Sequence, residues 1–179
     1  MRIIIYGIGA VGGAIAAQLS FAGHDVIGIA RGRQLDAIRA SGLTLSTPQG
    51  SKTARFPVHA NPTEISFMPD DVVFLTMKTP DTPGALQRLN AAGVTTQPIF
   101  CFQNGVANEA LALRFFANVY GATVMLPSDY DTPGRSRPIS RPRSAPSTSA
   151  AILPGPTPRS RKYAGFSARR ASSSTRGTM

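Results

Sequence analysis

Three glycines near the amino terminus have the spacing of a site that binds phosphate groups. They are the first, third and last residues of Gly7-Ile8-Gly9-Ala10-Val11-Gly12, which follows an apolar run typical of a buried strand and precedes small residues typical of a helix. Gly7 would make the tight turn, Gly9 would let a pyrophosphate approach the backbone, and Gly12 would let the helix lie close to the strand. Free N–H groups at the start of the helix would then bind the phosphates. The pattern predicts a dinucleotide site; an ordinary turn with incidental glycines is the alternative.

A basic residue lies at the position that distinguishes NAD-binding from NADP-binding sites of this kind. Domains that bind NAD place a carboxylate about 20 residues beyond the glycines, where it binds the ribose hydroxyls. Here that position, 19 residues after Gly12, is Arg31. A guanidinium can pair with a 2′-phosphate, which a carboxylate would repel. The sequence therefore favours NADP(H) over NAD(H), and a solvated arginine at a strand end is the alternative.

Two further polar residues, Lys78 and Asn104, each follow an apolar run that predicts a buried strand. Ligands of parallel sheets bind at the carboxyl ends of the strands, so we expect both residues to share one edge with the glycine turn and Arg31. A cation at Lys78 suits an anionic cofactor or substrate, and the Asn104 amide can bond a ribose hydroxyl or a substrate oxygen. The alternatives are that Lys78 is a solvated strand-end lysine and that Asn104-Gly105 is only a turn.

Strands and helices are predicted to alternate over the first 131 residues. The predicted strands are 2–6, 25–30, 71–77, 98–102 and 119–126; the predicted helices are 10–22, 34–41, 82–92 and 108–117; residues 43–58 contain a predicted hairpin. This order predicts a Rossmann-type α/β fold, doubly wound, with a mostly parallel sheet between helices. Thr82 before Pro83 predicts the N-cap of the third helix.

The charge and the cysteine content narrow the class of protein. The net charge of +10 arises entirely after Gly134, because nine basic residues balance nine acidic ones before that point. The single cysteine, Cys101, excludes an internal disulfide and favours a cytoplasmic location; we interpret it as a core residue. No apolar run reaches the roughly 20 residues that span a bilayer, and no cluster of metal ligands is visible. The two histidines, His24 and His59, are interpreted as structural.

Several segments, in this order, resemble the ketopantoate reductases (2-dehydropantoate 2-reductases). They are the glycine motif, Arg31, Leu75-Thr76-Met77-Lys78, and Gln103-Asn104-Gly105 followed by Glu109. The resemblance covers about residues 1–131. It implies a Rossmann domain followed by a helical domain, and the reduction of 2-dehydropantoate to pantoate by NADPH, a step towards pantothenate and coenzyme A. It also implies that Arg31 binds the 2′-phosphate and that Lys78 and Asn104 line the nicotinamide and substrate cleft.

The resemblance stops after Asp131, so we predict a cofactor-binding domain of residues 1–131 and a tail of residues 132–179. In the family the catalytic lysine and a substrate-binding glutamate lie in the helical domain, and neither is found here. From residue 135, Arg, Ser and Pro make up 25 of 45 residues, a composition that cannot bury enough apolar surface to offset its ordering entropy. We expect disorder there. A basic arm that binds phosphate polymers and a shifted reading frame are both open explanations.

Three functional interpretations follow. The first is the cofactor-binding half of an NADP-dependent ketopantoate reductase, with a small 2-keto acid as substrate, no expected membrane or nucleic-acid partner, and no catalytic residue assigned. The second is a non-catalytic NADP(H)-binding module whose basic tail contacts nucleic acid. The third is a related reductase of another 2-keto acid or an imine. No sequence feature predicts the oligomeric state.

Overall fold

The apolar runs of the sequence form the strands of one central sheet. The computed structural model describes residues 1–48, 50–124, 128–129, 132–138 and 151–153. In chain order the elements are β1 (Ile3–Tyr6), α1 (Ala10–Phe21), β2 (Val26–Ile29), α2 (Gly32–Ser41), β3 (Leu43–Thr47), β4 (Gly50–Ala54), β5 (Val58–His59), β6 (Val72–Leu75), α3 (Thr82–Ala91), β7 (Ile99–Cys101), α4 (Ala107–Ala112), β8 (Val119–Thr123), β9 (Ser128–Asp129), β10 (Arg135–Pro138) and β11 (Ala151–Leu153). Single 3-10 turns occur at Pro62–Glu64 and Thr79–Asp81.

The central sheet has the strand order β11-β8-β7-β6-β1-β2-β5. All of its neighbouring strands pair in parallel except β11, which runs antiparallel to β8. The chain builds the sheet outward from β1 to β5 on one side, then returns to β6 and continues to β8 on the other. The strand order therefore reverses between β1 and β6, and the crevice at their carboxyl ends is where such sheets bind ligands. The predicted Rossmann-type fold is confirmed.

Hydrophobic residues cover both faces of the sheet, which explains why its central strands β1, β2, β6 and β7 are buried at every position. Ile3 and Ile5 of β1 belong to a buried cluster that includes the small residues of α1, whereas Ile4 and Tyr6 point into a second cluster with α3. Burying one isoleucine side chain contributes about 1.5–3 kcal/mol, so β1 is held firmly from both sides. The glycine turn that follows β1 is thereby fixed to the rigid centre of the fold.

A smaller sheet has the order β4-β3-β10-β9 and packs beside α1. The β3–β4 hairpin was expected from the sequence. The parallel pairing of β10 with β3, which aligns Arg135 with Thr44 and Ser136 with Leu45, was not.

At two places the structure differs from the expected disorder of the tail. Residues 135–138 form β10, and residues 151–153 form β11 along β8. Average composition cannot detect a short stretch that takes its hydrogen bonds from an existing sheet. Residues 139–150 and 154–179 lie outside the described part of the chain, and the contact of the tail with nucleic acid stays a prediction.

One predicted helix is shorter than expected. The helix α4 ends at Ala112, five residues before the predicted end. The backbone continues with tighter hydrogen bonds, from Arg114 N–H to the Leu111 carbonyl and from Phe115 N–H to the Ala112 carbonyl. Hydrogen bonds of this 3-10 type, between residues three positions apart, are common at the ends of α-helices. The buried Phe116 then leads the chain into β8.

Candidate functional site

Gly7 and Gly12 are required by close packing at the carboxyl end of β1. Gly7 has a φ of +105°, and a Cβ at this position would lie 2.7 Å from the backbone nitrogen of Met77. A Cβ at Gly12 would collide with the Gly7 carbonyl oxygen and with Oγ1 of Thr76. The turn after β1 and the first turn of α1 are thus pressed against the end of β6, and neither glycine tolerates a side chain.

Gly9 is different, because it faces open space. A Cβ there would meet nothing within 4 Å. Gly9 is the N-cap of α1, so the N–H groups of Ala10 and Val11 in the first turn have no acceptor within the helix. The first turn also contains no acidic residue that would compete for these donors. An open space lined by free N–H groups at the positive end of a helix fits a diphosphate.

Side chains from three segments bind the carbonyls of the glycine turn. Oγ1 of Thr76 donates to the Gly7 carbonyl (2.8 Å), and Nε2 of Gln34 donates to the Ile8 carbonyl (2.9 Å). Oγ of Ser136, in β10, lies 3.4 Å from the Gly9 carbonyl. Carbonyl oxygens would repel a phosphate, and here they are bonded within the protein. This leaves the N–H groups as the ligand-binding side of the turn.

Arg31 lies at the carboxyl end of β2, where it forms the N-cap of α2. Its side chain is 77% exposed, and its Nη2 contacts both carboxylate oxygens of Asp81 at 3.0 and 2.9 Å. Asp81 ends the 3-10 turn that follows Lys78. Asp81 was not predicted as a site residue, because it lies 50 residues away from Arg31 and no local sequence signal indicates such a contact.

Lys78 and Asn104 extend from neighbouring strands to the same edge of the sheet. β6 and β7 pair in parallel with Leu75 opposite Cys101, and each polar residue follows three positions later. Both residues are exposed. Gln103, beside Asn104, contacts the sulfur of Met77, beside Lys78, at 3.5 Å. The structure therefore brings Lys78 and Asn104 together at one edge with Arg31 and the glycine turn.

A buried hydrogen-bond network joins the segments that carry Lys78 and Asn104. Oγ1 of Thr82 donates to Oδ1 of Asn108 (3.0 Å) and accepts from Nε2 of Gln103 (3.0 Å). Nδ2 of Asn108 donates to Oγ1 of Thr79 (3.2 Å). The predicted N-cap role of Thr82 is wrong, because Asp81 occupies the N-cap and the Thr82 hydroxyl belongs to this network. The network fixes the relative position of the two segments.

Cys101 and the two histidines lie in surroundings that indicate a structural role. Cys101 is fully buried, and burial, assisted by the negative charge of Glu109, raises the pKa of its thiol to about 12. A thiol with that pKa is not a nucleophile near neutral pH. His59 lies 3.4 Å from Glu64, and His24 precedes β2 at the opposite edge of the sheet from the glycine turn.

Over the described ranges, no three His, Cys, Asp or Glu side chains gather where they could bind a metal ion. Within the same residues, none of the helices has the length and apolar character needed to cross a bilayer.

Comparisons with known proteins agree with this geometry. A model of the family described as ketopantoate reductase PanE/ApbA matches residues 3–138, seven positions beyond the end of the resemblance seen in the sequence. The 2-dehydropantoate 2-reductase of Archaeoglobus fulgidus is 35% identical over 122 residues, which cover 67% of this chain and 38% of that protein.

Solved structures share the fold of this chain. The PanE/ApbA family ketopantoate reductase of Ralstonia eutropha JMP134 superposes with a TM-score of 0.72 and 30% identity, covering 79% of this chain and 47% of that one. A D-mandelate dehydrogenase solved with NADH and anilino(oxo)acetate shares the fold, with a TM-score of 0.70, 21% identity, and coverage of 85% of this chain and 47% of its own.

The chain thus spans less than half the length of these relatives. Its matched region contains the glycine turn, Arg31, Lys78 and Asn104, all at the edge of the sheet where the strand order reverses. Because the family model matches more than half of the residues, the chain belongs to the ketopantoate reductase family.

Proposed function

We propose that this chain is the NADP(H)-binding part of an oxidoreductase that reduces 2-dehydropantoate or a similar 2-keto acid. The observation that carries the proposal is the convergence, at the carboxyl edge of the sheet, of a glycine turn with free N–H groups and an arginine where NAD-binding domains have a carboxylate. When bound, the nicotinamide cofactor supplies the hydride.

Each residue at this edge has a role that its chemistry supports. The N–H groups of Ala10 and Val11, next to the space at Gly9, would bind the pyrophosphate. The Arg31 guanidinium would bind the 2′-phosphate. Lys78 would attract the carboxylate of a 2-keto acid, and the Asn104 amide would orient a ribose hydroxyl or the substrate oxygen.

None of the roles assigned above supplies the proton that the product requires. Hydride transfer to a ketone leaves an alkoxide, which must be protonated, and a positioned acid contributes about 10²–10⁴-fold to such a step. The resemblance implies that this acid is a lysine of the helical domain. We therefore assign cofactor binding to the described residues and the proton transfer to that domain.

We also place the end of the cofactor-binding unit later than the sequence suggested. The predicted boundary was residue 131. Ser136 is fully buried beside Gly13 and contacts the glycine turn, and the family match ends at residue 138. Residues 132–138 are therefore proposed to belong to the unit rather than to a separate tail.

Two measurements test the proposal. Calorimetric titration of the 179-residue chain with NADPH and with NADH tests the cofactor, and tighter binding of NADPH is expected. A series of 2-keto acids, 2-dehydropantoate among them, titrated into the NADPH-bound chain tests the substrate class. Failure to bind either nucleotide would overturn the proposal, and equal affinities would overturn the NADP(H) assignment.

A further inference from the structure

We propose that Asp81 sets the cofactor preference of this site by competing with the 2′-phosphate for the guanidinium of Arg31. This inference rests on the proposed function and adds a residue that determines specificity. Nη2 of Arg31 contacts Oδ2 of Asp81 at 2.9 Å and Oδ1 at 3.0 Å.

The nitrogen that Asp81 takes is the one a phosphate needs most. An arginine binds a phosphate most strongly through two parallel hydrogen bonds. It can do so through Nε and Nη2 along its side, or through Nη1 and Nη2 at its end, since the aliphatic stem blocks the third edge. Nη2 belongs to both arrangements. With Asp81 bound at Nη2, a 2′-phosphate must share that nitrogen or displace the carboxylate.

The charges at this site also lower the affinity for a 2′-phosphate. Arg31 and Asp81 together are neutral, whereas a 2′-phosphate carries a charge of about −1.5 to −2 near neutral pH. The carboxylate therefore removes attraction and adds repulsion for NADPH. NADH has an uncharged hydroxyl at this position and does not meet the same penalty. Asp81 thus brings the affinities of the two cofactors closer together.

The carboxylate is held in place by its own turn. The Asp81 N–H donates to the Lys78 carbonyl at 2.9 Å, and Thr79 in the same turn accepts a hydrogen bond from the buried Asn108. These bonds fix the backbone of the turn that presents Asp81 to Arg31. Asp81 could also order the Arg31 side chain, which would raise the affinity for NADPH instead of lowering it. Exposed ion pairs change equilibria by at most a factor of about five, whereas the repulsion acts on a dianion, so we expect competition to dominate.

The experiment compares Asp81→Asn with the unmutated chain, both as the full 179 residues. Asp70→Asn is the matched control, because it removes the same charge before β6, at the opposite edge of the sheet, where Asp70 forms an ion pair with the amino terminus. The affinities for NADPH, NADH and 2′-AMP are measured by calorimetry at about 50 mM and about 500 mM salt. Circular dichroism melting checks that each variant is folded.

We expect Asp81→Asn to bind NADPH and 2′-AMP about three- to tenfold more tightly, with NADH changed less than about twofold. The gain should shrink at high salt, and Asp70→Asn should show none. An unchanged ratio of NADPH to NADH affinity, or a selective loss of NADPH affinity, would overturn the role of Asp81 while leaving the cofactor site in place. If the unmutated chain bound neither nucleotide, the proposed function would fail and the role of Asp81 with it.

Discussion

The N–H of Gly134 donates a 2.6 Å hydrogen bond to Oε1 of Gln34, which joins residues 100 positions apart in the sequence. Through Nε2 the same buried side chain donates to the Ile8 carbonyl in the glycine turn. A single glutamine therefore connects the segment before β10 to the candidate pyrophosphate site. The segment that leads into β10 is thereby coupled to the candidate cofactor site through this residue.

Replacing Gln34 with leucine should weaken the binding of NADPH and NADH equally. The change leaves two buried polar groups without partners, which costs about 1–3 kcal/mol in unfolding free energy, and it releases a carbonyl of the glycine turn. 2′-AMP, which has no pyrophosphate, should bind as before. Calorimetry and urea unfolding measure these effects, with Gln18→Leu at an exposed position of α1 as the control. A loss confined to NADPH would contradict this assignment.

Two glycines of the motif should respond in opposite ways to the same substitution. Gly9→Ala should leave the stability nearly unchanged, because its Cβ meets no protein atom, and should abolish dinucleotide binding by filling the space for the pyrophosphate. Gly12→Ala should lower the free energy of unfolding, because its Cβ collides with the Gly7 carbonyl and Thr76. Thermal melts and NADPH titration separate the two outcomes. Normal NADPH affinity in Gly9→Ala would show that the motif is only a turn.

The local part of this organisation could be predicted from the sequence, and the long-range part could not. Ile3-Ile4-Ile5 before the glycines was enough to predict β1 and the turn, since each signal lies within a few residues. The contacts of Arg31 with Asp81 and of Gln34 with Gly134 join segments that are far apart in the sequence, so no local pattern predicts them. Thr82 shows the same limit, because a distant Asn108 takes the hydroxyl that was expected to cap α3.

Arg31→Ala should reduce NADPH affinity and leave NADH affinity nearly unchanged. A charge-assisted hydrogen bond contributes about 1.5–3 kcal/mol, and the loss should fall near the lower value because Arg31 is exposed and partly neutralised by Asp81. Arg33→Ala, two residues further on, is the control. Parallel titrations with both cofactors measure the effect. An equal loss for NADH would show that Arg31 does not read the 2′-phosphate.

The stability of the fold should decline above about pH 9 through Cys101. The folded thiol has its pKa raised from 9.0 to about 12, so the folded state retains a proton that the unfolded state releases. This contribution is fully present below pH 9 and is lost as the pH rises towards 12, with a slope of at most about 1.4 kcal/mol per pH unit. Urea unfolding of the unmutated chain and of Cys101→Ala between pH 8 and pH 10.5 tests this. Identical pH slopes would contradict it.

The 179-residue chain should bind NADPH without reducing 2-dehydropantoate above background. The acid that protonates the alkoxide is implied to lie in the helical domain of the family, and a reaction without a positioned acid is expected to be about 10²–10⁴-fold slower. The same domain would close the site and orient the substrate, which adds to the loss. Exposed apolar side chains beside α4, Val106 at 87% and Leu113 at 56%, are consistent with a surface that normally meets another part of the protein. NADPH oxidation is followed with the full-length Archaeoglobus fulgidus relative as the positive control; a turnover rate near that of the relative would show that the chain carries its own proton donor.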